Sequence, residues 1–275
     1  MRIGIVGAGR IGGNTARQLA RAGHDVLLSY SRDSDKLERL AAEIGARAGT
    51  STPREAVALA DVAAISVPWR LLDEVLEQLG SLDGKIVVDT TNQYGAAGLE
   101  DLPIGRTAAQ VNAERMPGAR YTKSFNTLTS AFQAEAAGRA GADRAVQWIC
   151  GDDAEAKRIV AGLIEESGYV SVDLGDTADA SVMEAPRRPG AVYGEEYRAA
   201  DAAAVVAAVR AGRPIPQRPR TRRRASERAH RRTRPRSSAR DSACPPVPTG
   251  TALERLGQRT VNSALPADWY RSVSK

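Results

Sequence analysis

The stretch Arg2-Ile3-Gly4-Ile5-Val6-Gly7-Ala8-Gly9-Arg10-Ile11-Gly12-Gly13 decides the fold. A short apolar run, Ile3 to Val6, breaks into glycines, and Ile11, Ala16, Leu19 and Ala20 then recur at helical spacing as far as Ala22. Strand, turn and helix are the reading. Within Gly7-Ala8-Gly9-Arg10-Ile11-Gly12 the spacing is G-x-G-x-x-G. A first glycine suits a tight turn, a second admits a pyrophosphate against the backbone, and a third lets helix and strand pack closely. The pattern is common by chance. Its place between a strand and a helix, where unpaired N–H groups and the positive end of the dipole meet an anion, gives it weight.

Working outward, Asp25 to Ser29 reads as a second strand and Asp33 to Ile44 as an amphipathic helix through Leu37, Leu40, Ala41 and Ile44. Glu55 to Ala60 and Leu71 to Leu79 read as helices, alternating with strands at Val62 to Val67 and Lys85 to Asp89. Further strands are expected at Tyr121 to Phe125, Ala145 to Cys150 and Tyr169 to Asp173, with helices at about 130–138 and 154–167. Short apolar runs of this kind suit parallel strands covered on both faces. The expectation is an α/β protein of the Rossmann type, with a doubly wound, mostly parallel sheet of seven or eight strands. Residues 1–176 form its nucleotide-binding domain, and residues 177–212 a short C-terminal segment, helical from Ala199 to Arg210, that closes the site or a dimer interface. Residues 213–275 read as a disordered tail.

That tail distorts the overall charge of +6. Residues 1–212 hold 23 Lys and Arg against 29 Asp and Glu, whereas residues 213–275 hold 16 against 4. From Arg213 to Arg240 there are twelve arginines, no lysine and almost nothing apolar, so no packed core is expected. The Arg, Pro and Ser bias resembles an out-of-frame reading of GC-rich coding sequence, with a frame change near codon 215. Taken at face value it is a basic arm that binds nucleic acid non-specifically. The two cysteines, Cys150 and Cys244, offer neither a disulfide framework nor a metal spacing. No apolar run approaches the ~20 residues of a membrane span. A cytoplasmic protein without metal or membrane is expected.

The end of the second strand selects the cofactor. NAD is recognised there by an acid on the ribose 2′-OH, but the chain has Tyr30-Ser31-Arg32, with Lys36 a helical turn further on. A hydroxyl, a guanidinium and an ammonium suit the 2′-phosphate of NADP. Asp33 and Asp35 are read as caps of the following helix. Beyond lie Ser66-Val67-Pro68-Trp69, Asp89-Thr90-Thr91-Asn92 and Phe125-Asn126-Thr127-Leu128, at the carboxyl ends of three strands where open α/β sheets bind ligands. Val67 and Pro68 offer a nicotinamide a surface, or merely end a strand beside a packed tryptophan. The polar ends hold carboxamide and substrate, or cap turns. His24 and His230 are the only histidines, and neither they nor the lysines at 36, 85, 123 and 157 make a convincing acid or base. No catalytic residue is assigned. Hydride transfer between two cofactor-like rings requires chiefly proximity and orientation.

At Gly7 to Gly12, Ser31-Arg32, Val67-Pro68-Trp69, Phe125-Asn126-Thr127 and Cys150-Gly151-Asp152-Asp153 the sequence resembles the NADPH-dependent reductases of coenzyme F-420, a 5-deazaflavin, over roughly residues 1–176. The resemblance implies a homodimer in which the deazaflavin lies over the nicotinamide. It implies that Gly9, Arg10, Ile11 and Gly12 touch the pyrophosphate, Ser31, Arg32 and Lys36 the 2′-phosphate, and Val67, Pro68 and Trp69 the nicotinamide. Asn92, Asn126, Thr127 and Leu128 then line the reaction site. After residue 176, Val182 to Gly190 with Tyr193 and Tyr197 replaces the apolar helical ending of that family. Arg187 and Arg188 there would either receive the acidic tail of a deazaflavin or sit in a solvated loop. The leading expectation is hydride transfer between NADPH and F-420, a flavin or another small acceptor. The alternatives are a non-catalytic NADP sensor and an imine or hydroxyacid reductase.

Overall fold

The computed structural model describes residues 1–30 and 33–216. Its elements run β1 (Arg2–Val6), α1 (Arg10–Arg21), β2 (Asp25–Ser29), α2 (Ser34–Ile44), β3 (Ala48–Thr50), α3 (Pro53–Leu59), β4 (Val62–Ile65), α4 (Leu72–Leu79) and β5 (Ile86–Asp89). They continue with α5 (Ala108–Arg115), β6 (Arg120–Lys123), α6 (Ser130–Ala136), β7 (Val146–Gly151), α7 (Ala154–Glu166), β8 (Val170–Gly175) and α8 (Ala199–Arg210). Short 3-10 stretches occupy Trp69–Leu71, Gly141–Asp143 and Thr177–Met183.

The strands form one sheet in the order β3-β2-β1-β4-β5-β6-β7-β8, parallel except where β7 runs against β6. The order turns back at β1 and β4, so the carboxyl ends of those strands flank the crevice in which ligands of such sheets bind. Alternate side chains serve two cores. Ile3, Ile5, Val26, Leu28, Val62 and Val88 face α1, α2 and α7, whose Ala16, Leu19, Leu40, Val160 and Ile164 cover them. Val6, Ile65, Val87, Trp148 and Cys150 face Val57, Leu72, Val75, Ala109, Val205 and Ala208 from α3, α4, α5 and α8. Strands with helices on both faces lose the polar half of the usual alternation, which is why they read as continuous apolar runs. The fold is the doubly wound α/β sheet that the sequence indicates.

Two elements were not anticipated, β3 and α5, and the chain beyond residue 176 is more tightly integrated than its sequence suggests. Residues 213–216, read with the tail, belong to the fold: Arg213 N–H donates to the Ala208 carbonyl at 2.9 Å, and Ile215 is buried in the α8 core. The remainder of the expected tail, with its arginines and Cys244, lies outside the described residues. Among the described residues no helix is long and apolar enough to cross a membrane.

Candidate nucleotide-binding site

The glycine turn between β1 and α1 shows three different needs for glycine. Gly7 has φ +102°, and a Cβ there would lie 2.4 Å from the Ser66 carbonyl oxygen. A Cβ on Gly12 would lie 2.1 Å from the Gly7 carbonyl oxygen. Both positions are closed by the protein itself. A Cβ on Gly9 would meet nothing within 4 Å, so the space above Gly9 belongs to no part of the described chain.

Gly9 is also the N-cap of α1, which receives no side-chain cap and has no acid in its first turn. Asp33, Thr52, Thr107, Thr129 and Asp153 by contrast cap α2, α3, α5, α6 and α7, each accepting a backbone N–H. Such caps contribute about 1 kcal/mol apiece. A twelve-residue helix without one, opening under a glycine that leaves its N–H groups accessible, fits the diphosphate of a dinucleotide.

At the adenosine end, Ser29 is buried, its hydroxyl donating to the Ile5 carbonyl at 3.1 Å, and Tyr30 adopts φ +53°. Ser31 and Arg32 lie outside the described residues. Asp33 caps α2, its Oδ1 accepting the Lys36 N–H at 3.2 Å. Lys36 is exposed and lines a cavity of about 520 Å³ together with Gly9, Arg10, Asn14, Arg39 and Ser130. The expected site residues Gly9, Arg10 and Lys36 thus border one space.

The carboxyl rim beyond β4 is more occupied than expected. Val67 is buried and Pro68 exposed. Trp69 is 5% exposed; its indole N–H donates to Glu100 Oε2 at 2.8 Å, and the Arg115 guanidinium stacks over its ring at 4.8 Å. The tryptophan is a packing and bracing residue here. Asn92 and Asn126, expected to face an acceptor, bind each other and the C-terminal segment. Asn92 Nδ2 donates to the Asn126 carbonyl at 2.9 Å, while Asn126 Nδ2 donates to Asn92 Oδ1 at 3.1 Å and to the Met183 carbonyl at 2.7 Å. Thr127 accepts the Gly194 N–H at its carbonyl, and Leu128 is buried. Asn126 Oδ1 and Thr127 Oγ1 nevertheless stay buried without a hydrogen-bond partner among the described residues. Phe125, between these elements, has φ +57°, and unusual backbone of this kind concentrates where geometry is imposed by use.

Arg187 is engaged by Glu195 at 2.6 Å, and Arg188 donates to the carbonyls of Ser181, Glu184 and Pro186. The structure supports the loop reading of this pair. Nearby, the hydroxyls of Tyr94 and Tyr193 approach to 3.4 Å, and burial pushes the Tyr193 phenol well above its ordinary range.

Beneath the rim lies a polar hub that sequence reasoning missed. Asp89 and Lys123 are register partners on β5 and β6, both fully buried, with Nζ and Oδ2 at 2.9 Å. The same carboxylate accepts from the Tyr121 hydroxyl at 2.6 Å, the Asn112 amide at 2.8 Å and, at Oδ1, the Thr91 N–H at 2.8 Å. Burial would raise the Asp89 carboxyl, but the Lys123 charge and these hydrogen bonds outweigh it and hold the group below its ordinary value. Burial, followed by the charge of Asp89, drives the Tyr121 phenol strongly upward. Glu184 adds a second buried carboxylate, its oxygens accepting the Ala108 and Ala109 N–H groups of α5 at 2.8 and 2.7 Å. A charge at the end of an otherwise apolar strand was the available signal at Asp89.

Comparison with known proteins finds relatives of the nucleotide-binding part and of the fold. Residues 2–93 match the family model described as coenzyme F-420-dependent NADP oxidoreductase. The rat Metalloreductase STEAP3 (Rattus norvegicus) is 28% identical over 184 residues, which cover 67% of this chain. The chain matches 36% of that relative's length. A hypothetical protein of Sinorhizobium meliloti, known from its crystal structure, superposes with a TM-score of 0.63 at 27% identity, covering 72% of this chain and 94% of its own. A protein of Arthrobacter sp., provisionally assigned as an F-420-dependent NADP-reductase, shares the fold with a TM-score of 0.56 at 24% identity, over 65% of this chain and 86% of its own.

Proposed function

We propose, from the premise that residues 2–93 carry the signature of the coenzyme F-420-dependent NADP oxidoreductases, that this chain moves a hydride between NADP(H) and a small planar acceptor, a deazaflavin or flavin. The observation that carries the reading is the open N-terminus of α1 under Gly9, with neither a side-chain cap nor an acid in its first turn, where α2, α3, α5, α6 and α7 are capped by side chains and α4 and α8 carry acids in their first turns. Gly7 and Gly12 hold the turn, and Gly9, Arg10 and Ile11 bring N–H groups to the diphosphate. Ser31, Arg32 and Lys36 neutralise the 2′-phosphate. Val67 and Pro68 border the nicotinamide, which supplies the hydride when bound. The rim residues Asn92, Asn126, Thr127 and Leu128 are amides, a hydroxyl and an apolar side chain, so the protein's contribution on the acceptor side is orientation and exclusion of water rather than acid or base chemistry. In this reading the chain works as a cytoplasmic homodimer.

Steady-state assays of NADPH oxidation with F-420, FMN and a ferric chelate test the proposal. Turnover with at least one is expected. Tight NADPH binding without turnover on any redox acceptor would contradict it and favour a nucleotide sensor, the reading that the self-bonded Asn92 and Asn126 support.

A further inference from the structure

The cavity bordered by Gly9 and Lys36 is lined by two cations that the sequence did not single out, Arg17 and Arg39, of which Arg17 is held by Glu43. Arg39 stands three residues after Lys36 on α2 and lines the same space, so the two side chains share a helix face. Arg10, from the first turn of α1, lines it from the other side. The acid in the lining, Glu43, is spoken for: it is held by Arg17 through paired contacts of 2.7 Å. Arg10 and Lys36 have no ion-pair partner among the described residues. Arg39 does have one, as its guanidinium reaches Asp33 Oδ2 at 3.3 Å, with the two side chains 68% and 56% exposed. An exposed single contact of that length is weak and is given up at little cost.

We propose that Arg39 is a further cationic anchor for the 2′-phosphate, standing beside Lys36 in the cavity that Arg10 also lines and exchanging Asp33 for the phosphate when the nucleotide binds. The inference deepens the NADP reading and rests on it. A phosphate monoester carries up to two negative charges and three acceptor oxygens, so it can engage three separate donors, whereas a ribose hydroxyl gains little from any of them. Asp33 then has two opposed effects. As N-cap it orders the first turn of α2, and as a carboxylate it both competes for Arg39 and repels the phosphate. Asparagine caps as well as aspartate, so Asp33→Asn separates the two.

Calorimetric titration of the full chain with 2′,5′-ADP and with 5′-AMP, which lacks only the 2′-phosphate, reads this directly, with no need for turnover. Wild type is expected to prefer 2′,5′-ADP. Arg39→Ala should weaken 2′,5′-ADP about tenfold, the scale of one charge-assisted hydrogen bond, and leave 5′-AMP unchanged. Asp33→Asn should move 2′,5′-ADP the other way, about threefold tighter. If wild type prefers 2′,5′-ADP and Arg39→Ala weakens both ligands equally or neither, the role of Arg39 is overturned while the cofactor reading stands. If wild type fails to distinguish the two ligands, the NADP preference itself is overturned. A circular-dichroism melt of each variant identifies loss of fold, and Asp33→Asn, which keeps the cap, still decides the sign.

Discussion

Among the helices that begin at the carboxyl rim of the sheet, α1 and α5 differ in who satisfies their N-termini. At α5 the chain supplies its own anion: Glu184, 75 residues further on, places one carboxylate oxygen on each of two successive N–H groups. At α1 none of the described residues supplies a cap or a first-turn acid, and the glycine at the cap leaves their space open. The same electrostatic device is thus spent on architecture in one place and held for a ligand in the other. In the first, removing the anion should cost stability. In the second, blocking the site should cost binding.

The largest effect is expected in the buried network beside α5. Lys123→Met removes the cation from a carboxylate with no access to water, and breaking a buried pair in this way costs about 3–5 kcal/mol. Urea unfolding should show that loss, and a wild-type midpoint would refute the network's role. The pair also sets a pH limit. Because the Asp89 carboxyl is held below its ordinary value of 3.8, its contribution is fully present above that value and disappears as pH falls through the lower, folded-state value. Unfolding curves should therefore steepen in acid below about pH 4, and Asp89→Asn should flatten them.

Gly12→Ala comes next. The added methyl would stand 2.1 Å from the Gly7 carbonyl oxygen, so the turn must shift. We expect a loss of about 1–3 kcal/mol, with weaker NADPH binding, read by melting and by fluorescence titration. Glu184→Gln should lower stability by about 1–2 kcal/mol and leave the NADPH dissociation constant at its wild-type value. A matching loss of affinity would mean that the two helix ends are not independent.

The two regions also differ in how far they are legible from sequence. In the nucleotide-binding half the informative spacings are local: Gly7, Gly9 and Gly12 fall within six residues, and β1, β2, β4 and β5 are covered on both faces, so their apolar runs announce them. The three-residue β3 has too little sequence to show a pattern. The helix α5 hides because its buried face is short and consists of Ala108, Ala109 and the polar Asn112, although the Thr107–Gln110 capping box was present to be read. Asn92 and Asn126 were read as ends of two strands on one rim; their bonds to each other, and to Met183 and Ala185 far along the chain, needed the structure. The Asp89–Lys123 pair needed the strand register. No local rule couples residues 34 positions apart. A 2′-phosphate was inferred from Ser31, Arg32 and Lys36; Arg39 was not singled out, and the cavity places it beside Lys36.

The space above Gly9 is the most direct place to test the account. Gly9→Ala meets no atom of the described residues within 4 Å and φ is an ordinary −73°, so ligand-free stability should stay within about 0.5 kcal/mol of wild type. The affinity for NADPH, measured on the same preparation, should fall at least about tenfold, or ~1.4 kcal/mol. Unchanged affinity in a stable variant would show that no diphosphate lies over this glycine and would contradict the account.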